Sequence, residues 1–279
     1  MIGTVEHAGQ NNGGGSKQGT PSDRVPTRRP QGIAPKPVDR KERQNPWNDI
    51  PMLKSDPFVY TVLPARPRPG LQEGWEGEFW RRLPSLGIDY FRPESHGHRP
   101  PTRVKLVADD QALYGLFRVE DRFVRCVHKA FQSSVYKDSC VEFFVQPKPD
   151  RGYFNFEFNC GGALLASYIT DSRRTADGFA AFQPLAPEEG RRIRVHSSLP
   201  HVVEPEITDP LTWELAFAIP LEIMARYTGP VSVAAGEIWH GNFYKCGDET
   251  SHPHWASWHP VDTLNFHLPR CFGQLRFER

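Results

Sequence analysis

The feature that most limits the fold of this chain is a two-residue alternation of apolar and polar side chains. The run YFNFEFNC at 153–160 places its three phenylalanines and its cysteine on one face and its polar residues on the other, which is the period of a β-strand. Further alternating runs lie at 102–107, 112–121, 139–146, 191–196, 213–219, 231–235, 238–245 and 273–277. The chain also contains 27 prolines, and each would interrupt the interior of a helix. We therefore expect an all-β fold, an antiparallel, jelly-roll-like β-sandwich with few short helices.

Composition divides the chain into three parts. Residues 1–46 contain no Phe, Trp or Tyr, six prolines, and eight Lys or Arg against four Asp or Glu. Such a segment buries too little apolar surface to offset its ordering entropy, so we expect it to be disordered. Residues 47–70 alternate apolar patches with prolines, which predicts an edge strand plus a connector. Residues 71–279 are interpreted as one folded domain.

Charge and cysteine content narrow the possible partners. A formal net charge of +1 supplies no excess positive field, so no nucleic-acid partner is expected. There is no run of 18 apolar residues, so no membrane span is expected. The first twenty residues lack the apolar segment of a secretory signal, which by sequence alone predicts a cytoplasmic protein. The five cysteines include no CxxC pair, so they indicate buried thiols rather than a disulfide framework or a zinc signature.

The polar face of the run at 153–160 is either a solvated sheet surface or the floor of a binding groove. Asn is depleted in strands, and amides and carboxylates at fixed spacing match the donors and acceptors of sugar hydroxyls. Aromatic side chains also lie in loops where no core requires them: Tyr136, Trp255, Trp258 and Phe266. Flat apolar rings cover the C–H face of a pyranose. Each of these rings could instead close the edge of the core.

The order of six segments resembles the family 9 carbohydrate-binding modules. The segments are GWEGEFW, TRVKLVADDQALYGLFRVED, YKDSCVEFFVQP, YFNFEFNCGG, WELAFAIPLE and WHGNFYKC…WASWHP…FHLPRCFGQLRF, which together span about residues 75–277. The most specific pieces are the D-S-x-V-E-x-F strand at 138–144 and the P-x-x-F-G-x-L-x-F ending at 269–277.

The resemblance implies a sandwich that grips the end of a saccharide chain between two aromatic rings. By alignment with the family, Tyr136 and Phe266 stand where the two platform tryptophans would be, and Glu142 matches a carboxylate that accepts sugar hydroxyls. Glu157 stands where the best-known modules have an arginine. The full set of predicted ligand-binding residues is Tyr136, Glu142, Glu157, Asn159, Trp255, Trp258, Asn265 and Phe266. Core packing is the alternative for the two tryptophans.

The same resemblance implies partners and a metal. Family members are often secreted and attached to glycoside hydrolases that break down polysaccharides, and they often hold structural calcium. The calcium positions do not transfer clearly, although Asp109 and Asp121 lie in turns that could supply oxygen ligands.

Two alternative functions are compatible with the same sandwich. Glu142 and Glu157 lie on strands predicted to be adjacent, so they could act as the two carboxyl groups of a glycoside hydrolase. A histidine-rich stretch that includes His252, His254 and His259 could instead bind copper or zinc. Non-catalytic carbohydrate binding is the function that the sequence favours.

Overall fold

A computed structural model describes residues 58–176 and 178–278 of the chain. The segment 1–46, expected to be disordered, lies outside the described residues, as does 47–57. The strands are β1 (Val59–Pro64), β2 (Leu86–Gly87), β3 (Tyr90–Phe91), β4 (Thr102–Ala108), β5 (Ala112–Asp121), β6 (Val124–Cys126), β7 (Cys140–Gln146), β8 (Tyr153–Asn159), β9 (Leu164–Thr175), β10 (Gly178–Pro184), β11 (Arg194–Ser197), β12 (Val203–Ile207), β13 (Leu211–Pro220), β14 (Ile238–Cys246), β15 (Trp255–Ser257) and β16 (Gly273–Phe277). The helices are α1 (Pro187–Gly190) and α2 (Leu221–Thr228), with short 3-10 turns at Trp80–Arg82, Val135–Lys137 and Pro269–Cys271.

The strands form two large sheets that share β1. The first sheet has the order β10-β9-β8-β7-β14-β16-β1, and the second has the order β1-β4-β5-β13-β11. The first four residues of β1 pair with β16 and its last two pair with β4, so it passes from one sheet to the other. Both of these pairings are parallel, whereas the other neighbours in the two orders pair antiparallel. The all-β sandwich is thus confirmed, but its sheets are mixed rather than wholly antiparallel.

Aromatic side chains join the two sheets across the core. Phe217 of the second sheet stacks against Phe158 of the first, with ring centroids 5.3 Å apart and planes 7° apart. It also lies 5.9 Å from Phe143 of β7. A Cβ atom on Gly115, opposite Phe217 on β5, would lie 2.2 Å from the Phe217 ring, so this ring requires a glycine there. The apolar face of the alternating strands is therefore the interior of the sandwich.

One predicted strand is absent. Residues 231–235 form a loop rather than a strand. Val231 and Val233 still pack against the core, and the carbonyl of Ser232 accepts a hydrogen bond from Trp239 Nε1 at 3.0 Å. The alternation in this run thus belongs to a loop that covers the edge of the core. Its apolar side chains recur every second residue, as they would in a strand.

The outer face of the first sheet is covered rather than solvated. The polar side chains of β8 point away from the core, yet Asn155, Glu157 and Asn159 are all at most 5% exposed. Residues from the 3-10 turn at Val135–Lys137, from the segment after β14 and from β10 lie over this face. No helix among the described residues is long and apolar enough to cross a membrane.

Candidate functional site

A cavity of about 710 Å³ lies on the outer face of the first sheet, a size typical of small-molecule sites. Six of the residues predicted from the sequence line it together: Tyr136, Glu142, Glu157, Trp255, Asn265 and Phe266. The strand pairing explains the floor, because Glu142 of β7 and Glu157 of β8 are direct partners in the antiparallel register. Residues 136, 255, 265 and 266 lie outside these two strands and form the walls.

The two floor carboxyl groups are buried and readily protonated. Burial raises the pKa of Glu142 well above its ordinary value, and the neighbouring Cys246 thiol and Glu157 carboxyl act in the same direction. Burial also raises the pKa of Glu157, to about 7, although the hydrogen bond from Asn155 Nδ2 to its Oε1 at 2.7 Å opposes the shift. A protonated carboxyl both donates and accepts a hydrogen bond. The floor can therefore pair with ligand hydroxyls in either sense.

Three half-buried aromatic rings stand over this floor. Tyr136, Trp255 and Phe266 all pack against the side-chain cluster around Cys140 and Cys246. The orientation of the Trp255 ring is fixed by a hydrogen bond from its Nε1 to Asp248 Oδ1 at 2.7 Å. Ring faces next to hydrogen-bonding groups are the combination that a sugar needs, since its C–H face is apolar and its edge is polar.

Phe266 has one ring face occupied within the protein. Its ring stacks on Tyr244, with centroids 4.0 Å apart and planes 13° apart. A ligand can therefore cover only the opposite face of Phe266. The neighbouring Asn265 uses its Oδ1 to accept the backbone N–H of His267 at 3.0 Å, so this turn is held in place by its own side chain.

The sequence reasoning missed one wall of the cavity. Phe179 and Phe182 of β10 line it together with Arg174 of β9, and the Arg174 guanidinium lies 4.3 Å from the centre of the Phe179 ring. The signal that could have found them is the run GFAAFQP, in which two large rings occur among small and polar residues. Phe182 is 41% exposed, so part of this wall is open to solvent.

His267 closes the cavity beside Phe179. Its Nδ1 lies 2.9 Å from the Tyr153 hydroxyl, and its ring is 4.4 Å from that of Phe179. Burial, with a smaller contribution from the charge of Arg174, lowers the pKa of His267 to about 3. This ring is therefore neutral at physiological pH.

The structure corrects two of the predicted ligand-binding residues. The Asn159 amide donates to the carbonyl of His128 at 2.6 Å and to Asp138 Oδ2 at 2.9 Å, and its Oδ1 accepts the N–H of Ala163. These bonds leave it no role in the cavity, which it does not line. Trp258 is 4% exposed and packs with Phe243 in the core, so it also lies outside the cavity. Core packing, the alternative for the tryptophans, holds for this one.

Asp109 does not fit a calcium site. Its Oδ1 accepts the backbone N–H groups of Gln111 and Ala112, and its Oδ2 accepts the Tyr114 hydroxyl and forms an ion pair with Arg68. Calcium requires free oxygen lone pairs, whereas every partner here is a donor. The carboxylate instead fixes the turn between β4 and β5.

Asp121 does not fit one either, because an ammonium group already lies beside it. Lys245 Nζ is 3.6 Å from Asp121 Oδ2, and both side chains are fully buried. Asp121 also pairs with His98 Nε2 at 2.7 Å and accepts Trp213 Nε1 at 3.1 Å. The same Lys245 Nζ lies 2.8 Å from His254 Nε2.

The predicted histidine cluster is not brought together. The three side chains have different closest partners: His254 faces Lys245, His252 stacks on Phe123 at 3.6 Å, and His259 Nδ1 donates to the Pro260 carbonyl at 3.2 Å. The His98 ring lies near both His252 and His254, at 6.5 and 5.1 Å. Burial and the charge of Lys245 lower the pKa of His254 to about 3. These three histidines do not form a group with ligand atoms at metal-binding distance anywhere in residues 58–176 and 178–278.

A β-sandwich with aromatic rings over a polar floor on one outer sheet face defines a binding module for small polar ligands. The sequence model of carbohydrate-binding family 9 matches residues 80–277. The chain belongs to this family, which confirms the predicted class of function, carbohydrate binding.

Two solved structures are similar to this chain. A Bacteroides uniformis protein described as a candidate carbohydrate-binding protein is 27% identical with a TM-score of 0.66, over 79% of this chain and 99% of that one. A family 9 module from Caldicellulosiruptor kristjanssonii in complex with glucose is 15% identical with a TM-score of 0.53, over 79% and 95% of the two chains. No protein among those with curated functions matches the chain.

Proposed function

We propose that the cavity binds the end of a saccharide chain, without cleaving it. The observation that carries the proposal is the convergence of Tyr136, Trp255 and Phe266 over the paired carboxyls of Glu142 and Glu157 in one cavity. The rings would cover the apolar face of a terminal sugar, and the carboxyls would pair with its hydroxyls.

The walls favour a chain end over an internal segment. β10 and the turns that carry Tyr136 and Phe266 all contribute to the lining of the cavity. A terminal sugar needs only one open side of such a cavity, whereas an internal sugar needs an exit for the chain on both sides. The partly exposed Phe182 would be the ring nearest to the next sugar unit.

The test is calorimetric titration of the full chain with glucose and short glucose oligosaccharides, because glucose is bound by one structural neighbour. Tyr136→Ala and Phe266→Ala should each weaken binding at least tenfold, which corresponds to about 1.4 kcal/mol. Tyr90→Ala is the matched control, since Tyr90 is 46% exposed and lies outside the cavity. Unchanged affinity in both cavity variants would contradict the proposal.

The same samples test the hydrolase alternative. Chromatography of the oligosaccharides after incubation should recover them intact. Turnover that disappears in Glu142→Gln would instead make the floor carboxyls an acid–base pair.

The wider role follows from the family alone. We propose that the module serves polysaccharide breakdown and works beside a glycoside hydrolase. Co-purification of this chain with a hydrolase activity from its own source, lost on addition of competing sugar or of the isolated chain, is the measurement that checks it.

A further inference from the structure

Two cysteines and one glutamate meet beneath the aromatic rings of the cavity. Cys140 of β7 and Cys246 of β14 are direct partners in the antiparallel register, so their side chains leave the sheet side by side. Glu142 lies two residues further along β7 and so on the same face. The two sulfur atoms and a carboxylate oxygen all lie within 4.8 Å of one another, and Cys246 Sγ is 3.1 Å from Glu142 Oε1.

The cluster is shielded from solvent, and its closest polar contact is internal, from Cys246 to Glu142. All three side chains are at most 2% exposed. Each thiol also donates to a carbonyl group, Cys140 to Val141 at 3.7 Å and Cys246 to Tyr136 at 3.6 Å. Three side chains that can each supply one metal-ligand atom are thus held together away from water.

The chemistry of the ligand set selects the ion. Two sulfur ligands are unsuited to calcium or magnesium, which prefer oxygen. Zinc accepts Cys sulfur and carboxylate oxygen and prefers four ligands, and a zinc ion with three protein ligands keeps one open position. Glu142 and Cys246 line the cavity, so an ion held by them would be within reach of a ligand in the cavity.

We propose that Cys140, Glu142 and Cys246 bind a zinc ion at the cavity floor, with a water molecule or a ligand oxygen in the fourth position. Binding forms two Zn–S bonds and one Zn–O bond and releases to solvent the proton of each thiol and any proton on Glu142. The complex carries a net charge of −1, and Lys245, the residue before Cys246 on β14, has a fully buried ammonium group. The proposal goes beyond sugar binding and does not depend on it.

The experiment is a titration of the full-length, chelator-stripped and fully reduced protein with Co²⁺, followed by Zn²⁺. We expect one Co²⁺ per chain, a thiolate-to-cobalt charge-transfer absorption, and loss of that absorption when Zn²⁺ displaces the cobalt. Cys140→Ser and Cys246→Ser should each abolish the absorption and weaken zinc binding at least about 100-fold, since even an outer partner of a metal ligand is worth up to that much.

Cys271→Ser is the matched control, because Cys271 is a buried free thiol outside the cluster. Glu142→Gln keeps both thiols and should retain the absorption with weaker zinc binding, which tests the site in a variant that preserves the cysteine packing. Far-ultraviolet circular dichroism reports whether each variant is folded.

Absence of a charge-transfer band in the folded wild type, or a band that survives in both serine variants, would overturn the zinc site. Sugar titrations of the zinc-free wild type separate the two proposals. Sugar binding without a cobalt band refutes only the zinc site, and a cobalt band without sugar binding refutes only the sugar site.

Discussion

The buried His267 should make the stability of this domain depend on pH. Burial and the charge of Arg174 lower its pKa from the ordinary 6.5 to about 3. At mildly acidic pH, His267 is therefore protonated in the unfolded chain but neutral in the folded chain. Above pH 6.5, the pKa of the histidine in the unfolded chain, the neutral His267 does not reduce the free energy of unfolding. As the pH falls below 6.5, the unfolded chain gains a proton and the free energy of unfolding decreases. Between pH 7 and pH 5 the loss is about 2 kcal/mol, because each pKa unit is worth about 1.4 kcal/mol.

The assay is urea unfolding of the wild type and of His267→Gln at both pH values, with a chelator present. The wild type also contains carboxyls such as Glu157, whose raised pKa acts in the opposite direction. Their contribution is the same in both proteins and cancels in the difference between them. His267→Gln should lose about 2 kcal/mol less than the wild type on going from pH 7 to pH 5.

Tyr153→Phe is the matched control for that experiment. It removes the hydroxyl that lies 2.9 Å from His267 Nδ1 but leaves the imidazole buried. If burial causes the shift, the control keeps the wild-type pH dependence even though it is less stable at both pH values. An equal fall in stability for His267→Gln and the wild type would refute the reasoning.

Three further predictions distinguish residues that line the cavity from residues that only stabilise the fold. Glu157→Gln should stabilise the chain by up to about 3 kcal/mol at pH 8, where the wild type buries a charge on a group of pKa about 7, and the gain should shrink towards pH 5 in urea unfolding with chelator. Trp258→Ala should cost about 3–5 kcal/mol in the same assay, because it empties a core position, while Trp255→Ala, at a half-buried ring, should cost less and weaken sugar binding. Asn159→Ala should cost about 1–3 kcal/mol, because the His128 carbonyl, Asp138 and the Ala163 N–H each lose a hydrogen-bond partner, with calorimetry finding the sugar affinity of the folded protein unchanged.

The sequence could predict which residues of the site share a face of their strand. Glu142 lies on the face opposite Phe143 of β7, and Glu157 lies on the face opposite the three phenylalanines of β8; both relations follow from the two-residue period alone. Their direct opposition in the sheet follows from the register of the hairpin that joins β7 to β8. The two carboxyl groups of the cavity floor could therefore be predicted from residues that are close in sequence.

The two tryptophans show what the same argument could have decided. Trp255 begins β15 and is half-buried, whereas Trp258 follows the end of this strand and is buried. Their separation of three residues is an odd number, which places the two side chains on opposite faces of an extended segment. The prediction that both tryptophans bind the ligand did not take this odd spacing into account. Asn159 is different, because it shares the face of Glu157 and was excluded only by Asp138 and His128, which approach it from elsewhere in the chain.

The walls of the cavity depend on contacts that no local pattern encodes. Phe179 and Phe182 belong to the site because β10 pairs along β9 at the edge of the first sheet, next to the turn that carries His267. The Tyr136 and Phe266 turns are 130 residues apart in sequence and meet over one pair of thiols. A polar strand face with the composition of a solvated surface thus becomes a buried floor only because distant segments cover it, and this covering turns an ordinary sheet exterior into a binding cavity.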